Sequence, residues 1–310
     1  MVRTRGGEAL DNQHVIEMKQ VVKQRDNFRI GPLNLCIPQG CVTAIIGTNG
    51  SGKTTMLGMS LGLVHPDEGT ITVLQEKTEP ELSTLVKARI GYVAENSDSE
   101  MDDMTAEQLV SFVSQWYPSW DWQLYHQLMA KYELPPKQKL SKLSKGMRRK
   151  LDLIVAICPK PELLVLDEPS SGFDPLSWRM MIKDLHAYLK DGKRTVLIAT
   201  HIVDEVKRLA DYILVMHKGK VLHFTEKDAL FDAWKVFVVD GEAADYEGAP
   251  GLMKAMQERF GVRLIAHNAT GLERFLHEEG IEVVQTHALE LDDILAYMIE
   301  MHIEGSVYAQ

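Results

Sequence analysis

The sequence predicts an α/β fold: a parallel sheet preceded by a β-rich N-terminal portion, interrupted by a helical subdomain, and followed by a small α+β module. Three observations carry that expectation. Apolar runs of strand length alternate with amphipathic runs of helix length over the first two thirds of the chain, the pattern of a parallel core. A glycine-rich turn joins one of those strands to a helix. The charge is unevenly divided: 17 acidic and 6 basic residues fall between Glu226 and Gln310, whereas the other 27 acids and 28 bases nearly cancel.

Taken in order, residues 1–13 carry no apolar segment and are expected to be a disordered arm rather than a secretion signal. Strands are expected at VIEMKQV, FRIGPLNLCI, VTAII and TITVL, with Pro38-Gln39-Gly40 turning between two of them. Thr54–Val64 reads as a helix. The stretch of about 97–160 reads as the helical subdomain, built from TAEQLVSFVSQWY, WQLYHQLMAKYEL and GMRRKLDLIVAIC. Strands Leu163–Leu166 and Val196–Ala199 flank the helical run WRMMIKDLHAYLKDG, and Tyr212–Met216 closes the first domain, 14–225. From 226 to 310, KVFVVD, GLMKAMQERFG, VRLIAH, GLERFLHEEG, IEVVQ and LDDILAYMIEMHI read as strand and helix in alternation.

Composition narrows the function. With 45% hydrophobic and 25% charged residues, the chain has material for an ordinary globular core. A net charge of −10 disfavours nucleic acid, which needs a basic footprint. No apolar run reaches the roughly 18 residues that a membrane-spanning helix needs. Three cysteines, Cys36, Cys41 and Cys158, make no CxxC pair and read as small buried hydrophobes in a reducing compartment.

Two motifs carry chemistry. Gly47-Thr48-Asn49-Gly50-Ser51-Gly52-Lys53-Thr54 satisfies GxxxxGK[ST], the P-loop, and Thr55 continues into its helix. Such a loop converges backbone N–H groups on phosphate oxygens, with the helix N-terminus behind them. Lys53 is placed to reach the β- and γ-phosphates of ATP, and the Thr54 hydroxyl to ligate Mg²⁺. Leu163-Leu164-Val165-Leu166-Asp167-Glu168 is an apolar strand ending in two acids at the edge where parallel sheets bind ligands. Asp167 suits the metal; Glu168 suits the base that polarises an attacking water.

Between and beyond these motifs, Ser144-Lys145-Gly146-Met147 resembles the signature of ATP-binding cassette (ABC) ATPases. Ser171-Gly172-Phe173-Asp174 resembles their D-loop, and His201 their switch histidine. The resemblance covers about 15–225 and implies a P-loop NTPase cassette of the ABC type, with a β-rich N-terminal subdomain and an inserted helical one. It further implies that the signature of one subunit completes the ATP site of another, whether an identical copy or a paralogue. By the same resemblance, Glu95 stands where the family has a glutamine that contacts Mg²⁺, and the adenine-stacking aromatic falls near Arg25 or Phe28. Lys145 and Met147 also depart from the family's usual signature.

A cassette without a membrane span implies an integral membrane permease as partner, a place on the cytoplasmic side of the membrane, and work as the ATP-hydrolysing motor of a transporter. YPSWDW, LSKGM and the acidic C-terminal module resemble bacterial exporter-type cassettes. The aromatic run Trp116–Trp122 is either a docking surface or the subdomain's own core, with core preferred. The competing reading is a soluble ABC-type ATPase acting as a regulator or adaptor. The C-terminal module either stabilises a dimer or tunes the ATPase.

Overall fold

The computed structural model describes residues 14–25, 28–78, 81–96 and 100–307. The arm expected over 1–13 lies outside the described residues. The chain divides into two compact units between Val221 and Leu222.

The first unit opens with β1 (His14–Arg25) and β2 (Phe28–Pro38), then runs through β3 (Val42–Ile46), α1 (Lys53–Ser60), β4 (Glu68–Val73) and β5 (Glu76–Lys77). The short α2 (Thr84–Lys87) and β6 (Ile90–Val93) lead to three helices, α3 (Ala106–Val113), α4 (Trp122–Lys131) and α5 (Lys145–Ile157). The run β7 (Leu163–Asp167), α6 (Pro175–Tyr188), β8 (Thr195–Ala199), α7 (Val203–Leu209) and β9 (Tyr212–His217) follows, and β10 (Lys220–Glu226) crosses the division between the units. One antiparallel sheet has the order β2-β1-β4-β5, and the larger sheet the order β10-β9-β3-β8-β7-β6. In the latter, β3, β6, β7, β8 and β9 pair in parallel.

Every residue of β3, β7 and β8 is buried. A sheet covered on both faces explains why these strands read as unbroken apolar runs rather than alternating ones. Each fully buried Leu, Ile or Val contributes about 1.5–3 kcal/mol. The helices of 106–157 hold a core of their own, in which Leu109, Tyr125, Leu128, Leu140, Leu151 and Ile154 pack together.

Helix ends fall where local chemistry puts them. α1 stops at Ser60 rather than Val64, because Gly62 adopts φ +69° and its N–H bonds the Met59 carbonyl. α3 ends before Tyr117, which is extended ahead of Pro118, so the helix expected over 105–117 is cut short.

The second unit contains α8 (Lys227–Ala233), β11 (Lys235–Val239), β12 (Leu252–Glu258), β13 (Gly261–Ala266), α9 (Ala269–Glu278), β14 (Val283–Ala288) and α10 (Leu291–Val307). Its sheet has the order β12-β13-β11-β14, and every pairing is antiparallel. Alternation of strand and helix therefore fails at 251–261: most of GLMKAMQERFG forms β12, not a helix. Met, Lys, Ala, Gln and Glu favour helices intrinsically. Pairing with β13, from Leu252↔Ala266 to Glu258↔Gly261, overrides that preference at the sheet edge. Phe237, Val262, Leu264, Leu272 and Leu276 form the core of this unit.

Candidate functional site

Four chain segments reach the same edge of the large sheet, because parallel strands all end on one side. The P-loop leaves β3, Glu95 follows β6, Asp167 and Glu168 end β7, and His201 follows β8. A cavity of about 630 Å³ opens there, lined by Phe28, Asn49–Thr55, Glu95, Asp167 and Glu168.

The cradle is forced by backbone geometry. Gly52 caps α1 at φ +106°, a conformation that residues with a Cβ rarely adopt. A Cβ on Gly47 would lie 2.1 Å from the Met216 carbonyl oxygen, so the loop can run this close to β9 only as glycine. The Ser51 N–H bonds the Thr48 carbonyl at 3.0 Å, and the Gly219 N–H bonds the Ser51 carbonyl at 2.9 Å, fixing both sides of the turn. Lys53 is buried and folds over the loop, donating to the carbonyls of Gly47 (2.9 Å) and Thr48 (3.4 Å). Its charge thus sits within the cradle, ready for an anion.

Asp167 is 1% exposed, yet neither carboxylate oxygen has a hydrogen-bond partner among the described residues. Burial raises its pKa above the usual carboxylate range; the Thr54 hydroxyl opposes the shift, and Glu95 and Glu168 add to it. A buried carboxylate without a partner, beside a hydroxyl and two more carboxylates, fits a hard divalent cation with oxygen ligands. Glu168 is held at φ +48°, outside the usual range for a residue with a side chain, and its N–H bonds the Ala199 carbonyl at 2.9 Å. Its Oε2 lies 2.7 Å from Nδ1 of His201, whose ring is 66% exposed. That pair has the arrangement of a base and its orienting partner.

The signature and D-loop residues lie elsewhere. Ser144 caps α5 by accepting from the Met147 N–H at 3.2 Å, and Lys145 and Gly146 form the first turn. Asp174 caps α6, accepting from the N–H groups of Leu176 (3.0 Å) and Ser177 (2.9 Å). Hydrogen bonds from Ser177 and the ion pair with Lys150 on α5 hold its pKa down at about 2. The two loops touch: a Cβ on Gly146 would lie 2.6 Å from the Gly172 carbonyl oxygen, and Phe173 meets the ammonium of Lys150. None of Ser144, Lys145, Gly146, Met147, Ser171, Gly172, Phe173 or Asp174 lines the P-loop cavity. Phe28 does; Arg25, its register partner across the β1–β2 hairpin, is exposed and does not.

Sequence reasoning missed two buried charged residues. Arg149, on α5, is 2% exposed and donates to the carbonyls of Ala94 and Glu95. Glu205, on α7, is 1% exposed and accepts from the Ser170 hydroxyl and from Trp178 Nε1 at 3.2 Å. It joins the segment after Glu168 to the helix after His201. Burial raises the pKa of Glu205, with those hydrogen bonds opposing. The only signal in the sequence was an ionic residue inside an otherwise apolar helix face. The aromatic run divides: Trp120 packs on the subdomain core, whereas Trp116 and Trp122 are 65% and 46% exposed. Among the described residues, no helix is long and apolar enough to cross a membrane.

The family profile described as ABC transporter matches residues 30–171. Nod factor export ATP-binding protein I of Burkholderia lata is 34% identical over 225 residues, covering 70% of this chain and 73% of that protein. ABC transporter ATP-binding protein YtrB of Bacillus subtilis is 29% identical over 217 residues, covering 70% and 73%. A solved structure of an ATP-binding subunit of an ABC transporter superposes with a TM-score of 0.63 over 70% of this chain and 91% of that one; at 22% identity, the likeness is one of fold. The P-loop, the paired acids and a relative of this similarity place the chain in the family of ABC transporter ATP-binding proteins.

Proposed function

We propose that this ABC ATPase closes head to tail with a second copy of itself around two Mg-ATP, and that closure drives export through a separate membrane permease. The observation that carries the pairing is the separation of the two half-sites within one chain. The P-loop cavity has a cradle, a cation end and a base, but none of the signature residues, which sit at the start of α5, lines it. Because one chain holds both halves intact, two identical copies make two complete sites without a paralogue.

In that arrangement Lys53 and the loop N–H groups bind the phosphates, and Phe28, at the cavity wall, stacks on the base. Thr54, Asp167 and Glu95 would hold Mg²⁺, which supplies charge neutralisation at the transferring phosphoryl group. Glu168 accepts a proton from the attacking water, and His201 holds the carboxylate in place. Ser144 and the α5 N-terminus of the partner copy close over the γ-phosphate. The work is done beside the membrane, on its cytoplasmic face, and exposed Trp116 and Phe112, 6.2 Å apart edge to face, offer the permease an aromatic surface on the helical subdomain.

Glu168→Gln tests the reading. Hydrolysis should fall by about 10²–10⁴-fold, the contribution of a positioned base, while ATP binding persists. In Mg-ATP the variant should elute as a dimer on size exclusion. A monomer at saturating Mg-ATP would refute the pairing. Tagged protein recovered from detergent-solubilised membranes should bring a multi-span partner, and its loss with Trp116→Ala would locate the docking surface.

A further inference from the structure

We propose that Arg149 is the positioning residue for Glu95: it fixes the loop that presents the Glu95 carboxylate to the cation end of the site and fastens that loop to the signature helix. The proposal rests on reading Glu95, Asp167 and Thr54 as the Mg²⁺ contacts.

The geometry starts from β6, the edge strand of the large sheet. Beyond Val93 the chain leaves the sheet, so the carbonyls of Ala94 and Glu95 have no neighbouring strand. Arg149 supplies both with donors, one Nη to each. A planar fork bonded to two successive carbonyls sets the peptide between them and hence the direction of the Glu95 side chain; a lysine, with a single ammonium, cannot fix that plane. The nearby acid on its own helix, Asp152, pairs instead with Arg148 at 3.5 Å.

Charge supplies the second reason. Glu95, Asp167 and Glu168 line one cavity, so the cation site begins with three carboxylates. Arg149 is buried, with its guanidinium against the loop that carries Glu95. A guanidinium stays charged even so. A buried cation here lowers the repulsion that a carboxylate, rather than an amide, at position 95 introduces. It also makes the Glu95 loop and the first turns of α5 one mechanical piece, since the same helix begins with Ser144 and Lys145.

The test is a double-mutant cycle on the full chain, read by Mn²⁺ titration with a non-hydrolysable ATP analogue under electron paramagnetic resonance. Nucleotide binding in EDTA and the thermal midpoint are measured alongside. Glu95→Ala, Arg149→Lys and Arg149→Met should each raise the half-saturating Mn²⁺ concentration by about tenfold, the usual order of effect for losing a metal contact or the group that orients it. Adding either Arg149 substitution to Glu95→Ala should change it by less than about twofold further, because the two act on one contact. Nucleotide binding in EDTA should stay put. Full, independent tenfold losses in both backgrounds, or unchanged Mn²⁺ binding in both Arg149 variants, would overturn the proposal. If Arg149→Met does not fold, Arg149→Lys completes the same cycle. No effect of Glu95→Ala alone would remove Glu95 from the cation site, a failure of the underlying reading that takes the proposal with it.

Discussion

In the first unit, β3, β6, β7 and β8 run parallel and deliver a phosphate cradle, Glu95, Asp167, Glu168 and His201 to one edge. In the second unit, β11, β12, β13 and β14 run antiparallel, and their ends fall alternately on opposite sides of the sheet. The first holds buried ionic groups, Asp167, Arg149 and Glu205; the second buries an apolar core of Phe237, Leu264 and Leu272 and leaves most of its acids exposed. Convergence of parallel strand ends makes the site of the first unit, and antiparallel strands do not bring their ends to one edge in that way. Substitutions should therefore separate into those that stop chemistry without unfolding and those that unfold without touching chemistry.

Of the substitutions that compare the two units, Lys53→Ala gives the largest expected effect. Loss of the cradle's central charge should cut phosphate release by about 10²–10³-fold, with the thermal transition unchanged. Wild-type turnover would detach the P-loop from the activity. Leu264→Ala is its counterpart in the second unit. The side chain is fully buried, and its loss should cost about 3 kcal/mol in chemical denaturation while ATP hydrolysis by folded protein stays near wild type. A proportionate fall in hydrolysis would show that the units do not act independently.

Glu205→Gln sharpens the contrast more gently. The folded protein raises the pKa of Glu205, so this group's contribution is full below the unfolded carboxylate value and is lost as pH rises through the folded one. Wild-type stability should decline over that window above pH ~4.5, and the glutamine variant should decline less. Identical pH profiles would count against a raised Glu205. Smallest of all is the expectation for Cys158, fully buried with its thiol pushed up to about 12. It should resist alkylation in native protein and react only after denaturation.

The same contrast governs what could be read without a structure. Gly47–Thr54 and Asp167-Glu168 were legible because the cradle and the metal site need those residues at fixed local spacing. Arg149 and Glu205 were not, since their acceptors and donors lie 55 and 35 residues away in the chain. β12 misled because an edge strand, bonded on one side and largely exposed, tolerates helix-forming residues. Spacing favours core for the Trp116–Trp122 run, yet only Trp120 packs against the core, partly buried, while Trp116 follows the end of α3 and Trp122 opens α4, both exposed.

On the proposed pairing, each ATP site needs two copies of the chain. Mixing two inactive variants tests it most directly: Lys53→Ala, with an intact signature, and Ser144→Arg, with an intact P-loop. A head-to-tail pair of the two contains one complete site, so hydrolysis should appear on mixing where neither variant alone shows any. Continued absence of hydrolysis, with both variants folded and forming mixed dimers, would contradict the account.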